Sequence, residues 1–153
     1  MQLSEHFYLS EFTKSQEGTR RGLDNTPPPE VVAKLKALCE NVLEQVRAHY
    51  GRPLVISSGY RSPAVNRAVK GSKTSQHCFG EAADFEIPGI HNIYVIEWMH
   101  RFLVYDQLIA EFVTRADPTA GWVHVSWKPD YRNQELTAKR IGGRTEYVPG
   151  IVV

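Results

Sequence analysis

The segment Ser75-Gln76-His77-Cys78-Phe79-Gly80-Glu81-Ala82-Ala83-Asp84-Phe85-Glu86-Ile87 runs from a polar loop into an alternating stretch. From Glu81 to Ile87 the alternation is that of a half-buried strand, with Ala83, Phe85 and Ile87 on one face and Ala82, Asp84 and Glu86 on the other. Asp84 therefore projects away from the apolar side. Two later runs read the same way. Gly121 to Trp127 places Trp122, His124 and Ser126 together, opposite Val123, Val125 and Trp127; in Gln107 to Phe112, Gln107, Ile109 and Glu111 share a side. If these strands are neighbours, His124 and Glu111 share the polar face with Asp84.

Helical spacing surrounds these strands. Val32, Leu35, Cys39, Val42 and Val46 recur at three- and four-residue steps and stop at Gly51, which predicts a core-facing amphipathic helix. Asp24-Asn25-Thr26 before Pro27-Pro28-Pro29 reads as its capped start. Pro53 to Ser57 is a short strand that delivers Arg61 to a loop, Ser62-Pro63 opens a short helix, and Ile93 to Val104 is a second amphipathic helix. Thr137 to Ile141 and Arg144 to Val148, joined by Gly142-Gly143, read as a C-terminal hairpin with no assigned function. The order predicts an α+β fold: a small, mostly antiparallel sheet with helices packed on one face and the other face free for a site.

Composition bounds what that site serves. At 153 residues a single domain over 1–153 is expected, its core spanning about 3–127. Eighteen Lys+Arg against 17 Asp+Glu give a net charge of +1, too little for the basic field of a non-specific nucleic-acid binder. The two cysteines, Cys39 and Cys78, make neither a disulfide framework nor a thiol-rich metal site. The start lacks a basic and apolar leader and no apolar run approaches membrane length, so synthesis in the cytoplasm without a signal peptide and no membrane insertion are expected.

His77, Asp84 and His124 are the candidate metal ligands. A loop histidine, an aspartate seven residues later on the following strand and a histidine on a paired strand supply two neutral nitrogens and one carboxylate, leaving a fourth tetrahedral position open. That is the donor set of a hydrolytic zinc centre, in which bound water has a pKa of roughly 7. The same residues also fit a loop histidine, a turn-capping aspartate and a half-buried strand histidine. His6, His49, His91 and His100 lie at termini, helix ends or helix faces and are expected to be surface or packing residues.

Ser57-Ser58-Gly59-Tyr60-Arg61-Ser62-Pro63, the Ser75 to Asp84 block and Trp122-Val123-His124-Val125-Ser126 together resemble the zinc D-Ala-D-Ala carboxypeptidase family, metallopeptidase family fifteen. The Ser-x-His-x-x-Gly-x-Ala-x-Asp pattern is the specific element. The opening Leu3 to Phe12 and Gly22-Leu23-Asp24-Asn25 are similar to a short branch common in bacteriophages and prophages. The resemblance implies the fold shared by lysostaphin-type peptidases and the hedgehog signalling domain, and Zn2+ as cofactor. It puts His77, Asp84 and His124 on the zinc ligands, Arg61 on the substrate-contacting arginine and Ser75 on a hydroxyl near the substrate. Gly80, Ala82 and Ala83 become close-packing positions around the ligands.

One departure stands out. Many relatives carry the general base three residues before the last zinc histidine, where this chain has Gly121. Glu111 is the expected replacement, since its strand leads into the ligand strand; Asp117, in an Asp-Pro turn, is the poorer choice. Trp122 either walls the cleft or packs in the core, and Cys78, adjacent to His77, is not expected to reach the same metal. The implied partners are peptidoglycan stem peptides, met by a monomer after release or phage-mediated delivery to the cell wall. The competing expectation, favoured by Gly121, is a non-catalytic zinc-containing module that binds cell wall or a virion partner.

Overall fold

The N-terminal segment holds two helices too short to leave a periodic signature, α1 (Leu9–Thr13) and α2 (Gln16–Arg21). Phe7 and Phe12, their rings 6.1 Å apart, seat this segment in the core. The expected amphipathic helix follows as α3 (Pro29–Leu38), a π-helical turn over Cys39–Leu43, and α4 (Glu44–Tyr50), which ends on Gly51. Leu35, Leu38, Cys39, Val42, Leu43 and Val46 are all fully buried. Burial pushes the Cys39 thiol up to about 12, so it behaves as the small hydrophobe its place on the stripe predicts.

The start of this helix departs from expectation. Pro28 occupies the capping position and no side chain caps the helix. Asn25 instead ties distant segments together: its side chain accepts from Ser62 N–H at 2.7 Å and donates to the carbonyls of Thr13 and Tyr60 at 2.9 and 3.0 Å. Composition alone cannot separate a local cap from such a tertiary clamp, because both use the same short amide.

The computed structural model describes residues 1–153 and contains one six-stranded sheet in the order β1-β2-β4-β3-β5-β6. The strands are β1 (Val55–Ser58), β2 (Ala82–Glu86), β3 (Gln107–Glu111), β4 (Trp122–Ser126), β5 (Gln134–Ile141) and β6 (Arg144–Pro149). Every neighbouring pair is antiparallel except β3 with β5, which run parallel. A short helix α5 (Pro63–Ala68), capped by Ser62 Oγ as expected, follows β1, and α6 (Asn92–Phe102) packs on β3 and β4. The fold is thus α+β with a mostly antiparallel sheet, as the element order predicts.

Alternation sorts the sheet into two faces. Ala83, Phe85, Leu108, Ala110, Val123 and Val125 join one apolar cluster with α3, α4 and α6. Burial of each large side chain there contributes roughly 1.5–3 kcal/mol. The opposite face carries Asp84, His124, Ile109 and Glu111. The C-terminal hairpin is not an appendage. β5 starts at Gln134, earlier than the periodicity suggests, and pairs with β3 in register Ile109↔Leu136 and Glu111↔Ala138, so the hairpin extends the same sheet.

Two glycines shape the approach to the open face. Gly80 (φ +73°) ends the 3-10 turn Gln76–Phe79, and a Cβ there would lie 2.7 Å from Val31 Cγ1. Gly121 (φ +70°) precedes β4, and a Cβ there would fall 2.1 Å from the Glu111 carbonyl oxygen and 2.6 Å from the Phe112 carbonyl carbon. Backbone cannot yield as a flexible side chain can. Gly121→Ala is therefore expected to destabilise the protein by about 2 kcal/mol or more, the sum of left-handed strain and overlap. A denaturant midpoint equal to that of the parent would contradict this.

Candidate functional site

The β2–β4 register makes Asp84 and His124 direct partners across the two strands. His77 arrives on the 3-10 turn, which hangs from the end of β1 by two bonds: Arg61 N–H to the His77 carbonyl at 3.1 Å, and His77 Nδ1–H to the Gly59 carbonyl at 2.7 Å. Asp84 Oδ1 then lies 2.9 Å from His124 Nδ1 and 3.3 Å from His77 Nε2, and one ligand atom from each residue lies within 4.8 Å of the others. Both imidazoles are buried.

Hydrogen-bond bookkeeping fixes which ring nitrogens face this point. The Gly59 carbonyl can only accept, so His77 Nδ1 carries the proton and Nε2 presents its lone pair. His124 is oriented through a longer chain. Asp106, fully buried, accepts from Arg132 Nε and Nη2, each at 2.9 Å, and from Gln76 Nε2 at 2.8 Å. Burial opposes ionisation of Asp106, but the Arg132 guanidinium outweighs it and keeps the carboxyl below its ordinary range. A carboxylate can only accept, so the Gln76 amide must turn its oxygen toward His124 Nε2, 3.3 Å away. His124 Nδ1 is left with its lone pair toward Asp84. Three acceptors, two imidazole nitrogens and a carboxylate oxygen, converge on one point with no donor among them. Such a set repels itself unless a cation sits there, and its composition fits zinc.

Two carboxylates near this point are driven in opposite directions. Burial pushes Asp84 up, but when protons on His77 and His124 stand in place of a cation, the His77 charge and the hydrogen bonds from both rings outweigh it and hold the carboxyl well below the usual range. Glu111 is buried with no such partner. Burial first, then the Asp84 charge, push it up to about 7, against a smaller opposing pull from His77. A cation among the ligands would lower that value.

The candidate ligands, Glu111, Arg61, Ser75 and Trp122 line one cleft of about 650 Å³. Arg61 Nη2 donates to Ser75 Oγ at 2.8 Å, while its Nε is buried without a partner. Ser75 also accepts from His77 N–H at 3.3 Å, so its hydroxyl oxygen orients Arg61 and caps the ligand turn as well as facing the cleft. Trp122 packs against Phe112, centroids 5.7 Å apart. Gly121, whose Cβ would strike backbone, is filled from the position that Glu111 and Phe112 occupy. Asp117 is exposed and spends its carboxylate on Thr119. Burial raises the Cys78 thiol, against an opposing effect of Arg61, and the residue lies outside the ligand cluster. The other histidines serve elsewhere: His6 on Glu44, His49 stacked on Trp98, His91 capping α6 and His100 on Glu135.

A model of the Peptidase M15 family matches residues 5–126. The chain belongs to the Peptidase M15 family. The match is the family that the Ser75 to Asp84 block and its companions resemble, and it takes in every candidate ligand together with Arg61 and Glu111. A search of curated proteins finds no match. No helix is long and apolar enough to cross a membrane.

The M15 match stops at Ser126, short of Arg132 and of the β5–β6 hairpin, yet both reach the site. Leu136, Arg140, Thr145 and Tyr147 line the cleft, so the hairpin left without a role by its sequence forms one of its walls. Gln76, Asp106 and Arg132 also escape sequence reading. Their partnership spans 26 to 48 residues and leaves no local pattern.

Two outcomes follow from this geometry. Gln76→Leu should keep the fold by circular dichroism and weaken zinc binding by about 10- to 100-fold in competition with a chromophoric chelator, since the His124 ring loses its orienting acceptor; unchanged affinity would refute the chain of bonds. For chelator-treated protein, the native state holds the Glu111 proton up to about 7 while the unfolded chain loses it near 4.5. Stability from this group therefore falls as pH rises through that window. Glu111→Gln removes the penalty and should stabilise the metal-free protein by about 3 kcal/mol at pH 8 and by nothing at pH 4. Equal effects at both pH values would contradict the assigned burial.

Proposed function

We propose that this M15 protein is a zinc-dependent peptidase that hydrolyses an amide bond in peptidoglycan stem peptides, acting as a D-Ala-D-Ala carboxypeptidase or an endolysin-like endopeptidase. The observation that carries the reading is the convergence of three oriented acceptors beside a buried carboxyl in one cleft. His77, Asp84 and His124 would hold the metal. Zinc, when bound, supplies a Lewis acid for the scissile carbonyl and makes water acidic enough to attack near neutral pH.

The chain's own residues supply the rest. Glu111 takes a proton from the attacking water and passes it to the leaving amine, a role suited to a carboxyl whose basicity burial has raised. Arg61, steered by Ser75, donates toward the carbonyl oxygen where negative charge develops; its planar guanidinium stays charged throughout. Trp122, packed on Phe112, holds an apolar wall beside Glu111, its partner across the β3–β4 pair. Glu111 thus does from the neighbouring strand what many relatives do from the position of Gly121. Delivery to the wall by a phage lysis system or by release on cell lysis is part of the same reading.

Mass spectrometry of digested muropeptides tests it. With zinc, a new amine end is expected at one bond, and its mass names the bond. Glu111→Gln should lower kcat by about 100-fold or more while zinc still binds. Zinc binding with no cleavage of any muropeptide would leave a cell-wall-binding module instead of an enzyme.

A further inference from the structure

The strand register aligns four residues in a row across the open face: Trp122, Glu111, Ala138 and Tyr147, on β4, β3, β5 and β6. Strands lie about 4.8 Å apart, so the backbones of Glu111 and Tyr147 are about 10 Å apart, with a single methyl between them. Ala138 is buried beneath its neighbours, and Tyr147 lines the cleft. Tyr147 is about half exposed, and its phenol is a hydrogen-bond donor at neutral pH.

Two residues along β5 from Ala138, on the same face, stands Arg140. Its guanidinium lies over the Phe112 ring, 5.6 Å from the centroid, with its other side exposed. The arginines that form ion pairs are Arg20, Arg21, Arg115 and Arg132; the two cleft arginines, Arg61 and Arg140, form none. They sit at opposite ends of the cleft, Arg61 beyond β1 and Arg140 on β5, with the ligand strands and Glu111 between them. A cleft whose centre carries Asp84 and Glu111 and whose ends each offer an unpaired guanidinium suits a peptide with an anionic group beside the bond to be cut.

We propose that the β5–β6 hairpin is the substrate-selecting wall of this site, where Arg140 and Tyr147 together receive a free carboxylate of the bound peptide on the side opposite Arg61. The proposal rests on the peptidase reading for the nature of the ligand but concerns a part of the chain beyond the family match. Phe112 lies against the Arg140 guanidinium, and Ala138 puts only a methyl between Glu111 and Tyr147 in the row.

Two synthetic stem peptides that differ only in one free carboxylate or the corresponding carboxamide serve as probes. Their Kd values are measured by calorimetry on zinc-loaded Glu111→Gln protein, and cleavage is followed separately on the parent. The carboxylate peptide should bind at least about 10-fold more tightly than the carboxamide. Adding Arg140→Gln should remove that preference, and Tyr147→Phe should reduce it by several-fold, while Arg144→Gln, on the other face of the hairpin tip, leaves it intact. Circular dichroism of each variant guards against unfolding. Cleavage by the parent with no carboxylate preference, or a preference that survives Arg140→Gln, overturns the hairpin proposal and leaves the peptidase standing. An Arg140-dependent preference without cleavage does the reverse.

Discussion

Three lone pairs aimed at one point, from His77, His124 and Asp84, are the constraint around which the molecule is organised. Left to themselves they repel, and the two imidazoles are each turned by a bond on their far side that traces back to a group able only to accept. The Gly59 carbonyl fixes one imidazole; the chain Arg132, Asp106, Gln76 fixes the other. The fold exists to keep these partners in place. The antiparallel register sets Asp84 against His124, the first-strand end holds the His77 turn, and Asn25 clamps the loops leading into that turn. A cation bound there would relieve the repulsion and so link binding to stability.

The carboxyl proposed as the proton carrier, Glu111, illustrates how a sheet can move a functional group between strands. At Gly121 the backbone of Glu111 and Phe112 occupies the volume that a side chain would need, and the left-handed turn there closes the β3–β4 connection. The same close approach brings the Glu111 strand beside the ligand strand with Glu111 opposite Trp122. The close approach that leaves no room for a side chain at position 121 is the one that sets Glu111 beside the candidate ligand strand.

Much of this was legible in the sequence because period-two alternation is a local signal. It assigned Asp84, His124, Ile109 and Glu111 to one face, and the structure places them there. Cap chemistry gave the Ser62 helix start. What stayed hidden depends on chain segments meeting at long range. Asn25 reads as a cap but acts as a clamp; Gln76 looks like loop filler but, held by a carboxylate thirty residues away, orients a ring directly. The C-terminal hairpin was visible as a hairpin, yet its parallel pairing with β3, which carries Arg140 and Tyr147 to the cleft, has no signature in either strand. Helices of five and six residues, α1 and α2, are shorter than two turns and cannot show a period at all.

On the proposed reading, the converging acceptors form a metal site made of nitrogen and oxygen alone. Zinc-edge X-ray absorption on the protein loaded with one equivalent measures this directly. The expected spectrum contains only nitrogen and oxygen scatterers at about 2.0–2.2 Å with the outer-shell features of two imidazoles, and loses one imidazole in His124→Ala. A sulfur scatterer at about 2.3 Å, placing Cys78 on the metal, or a spectrum indifferent to His77 and His124, would contradict it.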